Sequence, residues 1–199
     1  MSITDILIRS ISGYIFVFPV TLLYFIYLNK QGKKESLQRI LIVFIFCYYI
    51  IGIFTMTGIN SFDEFSPRLV LIPFIDMIRG PVDTILNIIL FIPLGFFIPL
   101  LYKKFNDVKK IGVVGFILSL LIEFVQMFGM GATDINDLIT NTIGACIGYF
   151  IYKIIKGKVE MKIDNNRADV KELLFFIGYS FIVMLTVQPI VISKLFKLG

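Results

Sequence analysis

The sequence contains no histidine, no tryptophan and two cysteines. Without histidine, the chain cannot build a His-based metal site or a Ser–His or Cys–His nucleophile pair. Cys47 and Cys146 each lie inside an apolar run, where a free thiol behaves as a small hydrophobe. They provide neither a disulfide framework nor a metal cluster. The sequence also shows no cofactor-binding loop, so we predict no metal and no cofactor.

Charged residues are scarce at 17%, whereas 57% of the residues are hydrophobic and the mean hydropathy is +0.89. A soluble domain is about one quarter charged and less than half apolar, so this composition excludes a soluble globular enzyme and a disordered chain. A membrane-spanning helix needs roughly 20 apolar residues. Six stretches fit: 10–28, 40–58, 84–102, 111–130, 138–155 and 173–192. We predict an all-α, polytopic membrane helical bundle whose first stretch is a retained helix rather than a signal peptide.

The basic residues are concentrated in three connecting segments. Segments 29–39, 103–110 and 153–172 hold four, four and six Lys or Arg, which is 14 of the 19 in the chain. Such segments mark the cytoplasmic side, so we predict a multi-pass protein of the cytoplasmic membrane with both termini outside. The net charge of +5 is then a topology signal with some attraction to membrane lipids, and it does not indicate nucleic-acid binding.

The predicted outer loop, residues 59–83, is too apolar for an ordinary loop. Its run from Leu69 to Ile75 is shorter than a span and is interrupted by Pro73. We expect an interfacial or re-entrant segment on the outer face.

Glu123 is the one acidic residue inside a predicted span. A carboxylate at the bilayer centre costs about 2.5–3.5 kcal/mol. It could reach the outer headgroups or be hydrogen-bonded between helices. Alternatively, it is a ligand- or proton-handling group that faces a polar cavity. Ser119 and Gln126 share its helix face, and we therefore favour the functional interpretation.

Two further spans begin with an acid followed by an asparagine four residues later. Asp83 and Asn87 open the third span, and Asp137 and Asn141 open the fifth, where we assign Asp134 to helix capping. Because both spans enter from the outer side, we predict an outward-facing polar cleft, with Arg79 placed to neutralise it or bind an anion. The ligand-binding candidates are Arg79, Asp83, Asn87, Glu123, Gln126, Asp137 and Asn141, and Glu123 is the candidate catalytic residue.

Gly144 and Gly148 form a small-residue motif that lets two helices approach closely. We expect packing within this chain, and a separate helix-packing partner is the alternative.

Several of these residues match one family pattern. The stretch from Asn87 to Phe96 resembles the N-x-x-x-F-x-P-x-G-F signature of VanZ-like membrane proteins. The order Ser119, Glu123, Gln126, Asp134, Asp137, Asn141 and Gly144 resembles the second half of that signature, and Ile72-Pro73-Phe74 is similar to its N-L-I-P-F element without the Asn. The family often has a basic residue before the acidic turn, where this chain reads Gly129 to Thr133. If that basic residue serves a ligand, either Arg79 replaces it or the ligand of this chain differs.

The resemblance covers residues 45–152. It implies three parts: 1–44 with the first helix and a basic loop, a VanZ-like core at 45–152, and 153–199 with a link and the last helix. It also implies an integral membrane protein linked to low-level resistance to teicoplanin, a lipid-tailed glycopeptide antibiotic, but it implies no reaction mechanism.

Three hypotheses follow. The first is a non-enzymatic envelope protein that lowers susceptibility to such lipoglycopeptides by binding the acyl tail or altering a lipid-linked cell-wall precursor. The second is a membrane enzyme or transporter for a lipid-linked or amphipathic substrate, with Glu123 handling a proton. The third is a structural partner in a complex held through Gly144 and Gly148.

Overall fold

The computed structural model describes residues 2–58, 69–70, 80–128, 133–158 and 169–196. Its helices are α1 (Ile3–Lys30), α2 (Leu37–Met56), α3 (Pro81–Leu101), α4 (Val108–Gln126), α5 (Ile135–Lys158) and α6 (Val170–Ile182). α6 continues through a π-helical turn (Val183–Val187), α7 (Gln188–Val191) and a second π-helical turn (Ile192–Phe196). A 3₁₀ turn (Lys103–Phe105) joins α3 to α4. Two short strands, β1 (Leu69–Val70) and β2 (Thr133–Asp134), pair in parallel.

These helices confirm the predicted helical bundle. Among the described residues, five helices are long and apolar enough to cross a membrane, namely α1, α2, α3, α5 and the last helix from Val170 to Lys194. α4, the fourth of the six predicted spans, is not among these five, because its 19 residues include Lys109 and Lys110 at its start and Glu123 near its end. Each of the helices α1 to α6 begins before the corresponding predicted apolar stretch, because the helix also includes the polar residues that precede that stretch. Ser36, Asp107 and Asp169 cap α2, α4 and α6 by accepting backbone N–H groups.

The chain packs as two compact units. One comprises residues 1–62 and 169–199, and the other comprises residues 63–168. α2 therefore packs with α1 and the last helix. The division into 1–44, 45–152 and 153–199, which came from the family resemblance, is a different kind of division and stays a prediction.

The first unit contains a buried ion pair that the sequence analysis did not foresee. Arg39 is fully buried in α2, and its Nη2 donates to Oε1 of Glu172 in α6. The Tyr24 hydroxyl in α1 donates to the other oxygen of Glu172 at 2.8 Å, and Glu35 lies 3.3 Å from Nη1 of Arg39. The predicted connecting segments contained Arg39 and Glu172, whereas α2 and α6 begin earlier and include both residues. Glu123 is therefore not the one acid buried in a helix, since Glu172 is buried as well, and the cytoplasmic side of these segments stays a prediction.

In the second unit, α3 and α5 touch backbone to backbone. A Cβ atom at Gly144 would overlap the carbonyl oxygen of Ile88, and one at Gly148 would overlap that of Ile92. Gly95 of α3 likewise faces the carbonyl of Ala145. The contacts advance in the same direction along both helices, so α3 and α5 run parallel. The expected close packing of Gly144 and Gly148 therefore occurs within this chain, and a separate partner through them stays a prediction.

Replacing Arg39 should destabilise the first unit, because Arg39→Met leaves the Glu172 carboxylate buried without its counter-charge. We expect a loss of about 3–5 kcal/mol in the free energy of unfolding, seen as a lower unfolding temperature in detergent. The double variant Arg39→Met/Glu172→Met should recover part of the loss. Lys34→Met, at an exposed position, is the matched control and should have little effect. An unchanged unfolding temperature for Arg39→Met would contradict this assignment.

The glycine contact gives a second stability prediction. Gly148→Ala forces α3 and α5 apart and should cost about 1–3 kcal/mol, as overpacking generally does. Gly178→Ala is the matched control, since a Cβ there has no neighbour within 4 Å. The measurement is the unfolding temperature of each purified variant. Equal unfolding temperatures for the two variants would show that the close contact is not needed.

Candidate functional site

The first link in the polar site joins α3 to α5. Asn87 lies on the second turn of α3 and Asp137 on the first turn of α5. The Asn87 amide donates to the Asp137 carboxylate at 2.6 Å. The close glycine contact deeper in the same two helices brings these side chains within reach. The asparagine of the first predicted acid–asparagine pair is therefore hydrogen-bonded to the acid of the second pair.

The second link joins α4 to the start of α5. The backbone N–H of Asp134 donates to Oε2 of Glu123 at 2.8 Å, and Glu123 is only 3% exposed. The Asp134 carboxylate accepts the backbone N–H and the side-chain amide of Asn136, both at 2.8 Å. The first of these bonds is the helix cap predicted for Asp134. Glu123 thus holds the β2–α5 junction against α4.

The third link lies deeper between α4 and α5. The Asn141 amide nitrogen donates to the Ser119 hydroxyl at 2.9 Å, and both residues are buried. Within the described part of the chain, the amide oxygen of Asn141 has no hydrogen-bond partner. The described part of the second unit therefore contains a buried hydrogen-bond acceptor, the Asn141 amide oxygen, that receives no donor.

The three links lie on adjoining helix faces. Ser119 and Glu123 are four residues apart on α4, and Asp137 and Asn141 are four apart on α5. Four residues of a helix correspond to about 6 Å, so each pair occupies one face over roughly one turn. We call these side chains the polar cluster: Asn87, Ser119, Glu123, Asp134, Asp137 and Asn141.

The structure brings together four of the seven ligand candidates, namely Asn87, Glu123, Asp137 and Asn141. Asp83 is exposed on the first turn of α3 and makes no described hydrogen bond to the cluster, and Gln126 is half-buried at the end of α4. Arg79 lies outside the described residues, as does the apolar segment beyond Val70. Leu69 and Val70 do pair with Thr133 and Asp134, beside the cluster.

Two residues of these links, Ser119 and Asn136, are not among the seven ligand candidates. Ser119 was noted for its position on the Glu123 face but not as the partner of Asn141. Asn136 is 97% buried through its bonds to Asp134, and it was passed over as part of the turn. The signal for Asn136 was its position two residues after a capping aspartate, where a side chain can bond back to the cap.

Long apolar helices, with polar side chains buried in pairs between them, define a multi-pass integral membrane protein. A family model described as VanZ/LLP1 matches residues 40–156, more than half of the chain. Among curated proteins, Protein VanZ of Enterococcus faecium is 33% identical over 102 residues, which are 51% of this chain and 59% of that protein. The match thus spans less than two thirds of that relative's length. No solved structure matches the chain. The chain belongs to the VanZ/LLP1 family, which confirms the resemblance.

The bond between Asn87 and Asp137 can be measured by a double-mutant cycle. Asn87→Leu, Asp137→Leu and the double variant should show a coupling of about 1.5–3 kcal/mol, the usual strength of a hydrogen bond to a charged group. Unfolding temperatures in detergent provide the readout. The matched cycle pairs Asn87→Leu with Asp83→Leu, where the exposed acid should couple by less than about 0.5 kcal/mol. Similar coupling in both cycles would contradict the assigned contact.

Proposed function

We propose that this protein is a cell-envelope protein of the cytoplasmic membrane that lowers susceptibility to lipoglycopeptide antibiotics of the teicoplanin type. In this proposal it acts without catalysis, by holding an amphipathic ligand in an outward-facing cleft lined by the polar cluster. Membership of the VanZ/LLP1 family supports the resistance role. The observation that carries the site is the cluster of buried acids and amides that joins α3, α4 and α5.

The proposed orientation puts the cluster at the outer face. Lys103, Lys104, Lys109 and Lys110 lie between the end of α3 and the start of α4. By the positive-inside rule this end is cytoplasmic, so the opposite ends of both helices are outside. Asn87 and Glu123 are near those opposite ends. In this proposal all six long helices α1 to α6 cross the membrane, and both chain termini are then outside as well.

The cost of burying these groups favours a functional role. Polar and ionisable side chains inside a membrane are expensive, and helices can pack through apolar and small residues alone. α3 and α5 already do so through Gly95, Gly144 and Gly148. The cluster is therefore not needed to bring these two helices together, which supports a role in binding.

An amphipathic ligand suits the surroundings of the cluster. β1 begins the apolar run from Leu69 to Ile75, and Val70 is the strand partner of Asp134. An apolar segment therefore starts beside a group of acids. In our proposal the polar part of the ligand meets the cluster and its acyl tail lies on the side of β1. Membrane lipids and a lipid-linked cell-wall precursor are other envelope molecules that combine a polar part with an apolar tail.

The second candidate function is a membrane enzyme or transporter with Glu123 as its proton-handling group. The observation in its favour is that Glu123 is buried and bonded to the backbone of Asp134, so its carboxylate is held in a fixed place. Chemistry of this kind requires a group that gains and loses a proton. Glu123→Gln keeps the shape of the side chain and removes that ability.

The experiment compares susceptibility to teicoplanin and vancomycin in a susceptible Gram-positive host with and without the gene. We expect the inhibitory concentration of teicoplanin to rise several-fold and that of vancomycin to change little. Asp137→Asn should abolish the rise at unchanged protein abundance, because it weakens the cluster's hold on the ligand. Asp5→Asn, which changes an acid of the α1 capping box in the first unit, is the matched control and should keep the rise.

Unchanged inhibitory concentrations for both drugs would contradict the resistance role. Full protection by Glu123→Gln would exclude the proton-handling alternative. Full protection by both Glu123→Gln and Asp137→Asn would exclude the cluster as the site.

A further inference from the structure

We infer that the polar cluster recognises a cationic group, specifically the protonated amine of an amphipathic molecule, and not the phosphate of a lipid-linked precursor. The inference rests on the proposed function, since it names the class of ligand for the same site. It depends on three features of the cluster: its charge, the chemistry of its open atom and the spacing of its acceptors.

The ionisable side chains of the site are all acids. Glu123, Asp134 and Asp137 belong to the cluster, and Asp83 lies one turn before Asn87. The sequence has no Lys, Arg or His in residues 80–102 or 111–152, and these two ranges include every residue of the cluster. Arg79 precedes this stretch as a single cation against four acids. In a low-dielectric site this balance attracts a cation and repels a phosphate.

The open atom in the cluster is an acceptor. The described donors already point at acceptors of the cluster: Asn87 at Asp137, Asn141 at Ser119, and the Asp134 backbone at Glu123. The oxygen of the Asn141 amide has no partner in the described chain, and Asn141 is only 3% exposed. A buried acceptor without a donor is costly, so a ligand that supplies a donor at this point gains that energy back. A phosphate is an acceptor and supplies none when fully ionised.

The spacing suits one nitrogen. Asp137 and Asn141 lie four residues apart on one face of α5, which separates them by about 6 Å along the helix. An ammonium nitrogen about 2.8 Å from each of two oxygens joins oxygens that are roughly 4–5 Å apart, and side chains one turn apart on the same helix face can present oxygens that close together. An alkylammonium group has three donors, enough for the Asn141 oxygen, the Asp137 carboxylate and the Glu123 carboxylate. Because Asn141 joins α5 to Ser119 of α4, its amide lies between these two helices, within the cluster.

The test uses the full chain, purified in a neutral detergent, and three probes with the same twelve-carbon tail: dodecylamine, dodecyl phosphate and dodecanol. Native mass spectrometry gives the dissociation constant of each. We expect dodecylamine to bind at least about tenfold more tightly than either other probe, the factor given by one charge-assisted hydrogen bond. Dodecyl phosphate should bind most weakly. Phosphate binding equal to or tighter than amine binding would overturn the inference, as would equal binding of all three probes.

The variants separate recognition of the amine from attraction to the tail. Asp137→Asn should weaken dodecylamine about tenfold and leave dodecanol unchanged. Asp5→Asn should change neither. Asn141→Asp puts a carboxylate oxygen in place of the open amide oxygen and should tighten dodecylamine, a gain that misfolding does not produce. Unchanged amine affinity in both Asp137→Asn and Asn141→Asp would contradict the assignment.

The binding test and the susceptibility test fail independently. If the protein prefers the amine probe but gives no protection against teicoplanin, the proposed function is contradicted and the inferred preference of the site for an amine is retained. Protection that depends on Asp137, combined with a preference for dodecyl phosphate, would remove only the present inference.

Discussion

The close contact between α3 and α5 is the constraint on which the polar cluster depends. Gly144 and Gly148 let the α5 backbone reach the carbonyl oxygens of Ile88 and Ile92, and side chains a turn or two away are then close enough for direct hydrogen bonds. Asn87 and Asp137 form such a bond at 2.6 Å. Any larger residue at these glycines would widen the gap between the helices and break the link. The close helix packing and the hydrogen bonds of the polar cluster are therefore parts of one arrangement.

The two units bury polar groups for different purposes. In the first, Arg39 and Glu172 have opposite charges and neutralise each other, and Tyr24 completes the shell of Glu172. In the second, the buried and half-buried charges are all acidic among the residues described between 80 and 152, and Asn141 keeps an open acceptor. A neutralised pair holds helices in place. Acids without a basic partner, together with an acceptor that has no donor, can still bind a ligand that supplies a donor. We therefore place the proposed function in the second unit.

The family match and the polar cluster lie in the same part of the chain. The family match covers residues 40–156, which include the whole cluster. The contacts show why the matched polar positions occur together: Asn87 bonds to Asp137, and Ser119 bonds to Asn141. The residues that resemble the family pattern are thus hydrogen-bonded in pairs across three helices. The role in antibiotic susceptibility and the preference for an amine are the steps proposed beyond this correspondence.

The sequence by itself determined the class of fold, the location of the long helices and the residue types of the site. Apolar runs of about 20 residues have few other stable forms in a membrane, and the spacing of four between acid and asparagine assigns both to one helix face. Only the tertiary structure decided the partners. Local spacing does not show that Asn87 pairs with Asp137 rather than with Asp83, that Asp83 remains exposed, or that Arg39 and Glu172 are buried together. Those outcomes depend on which helices touch and at which register, and residues far apart in the chain set both.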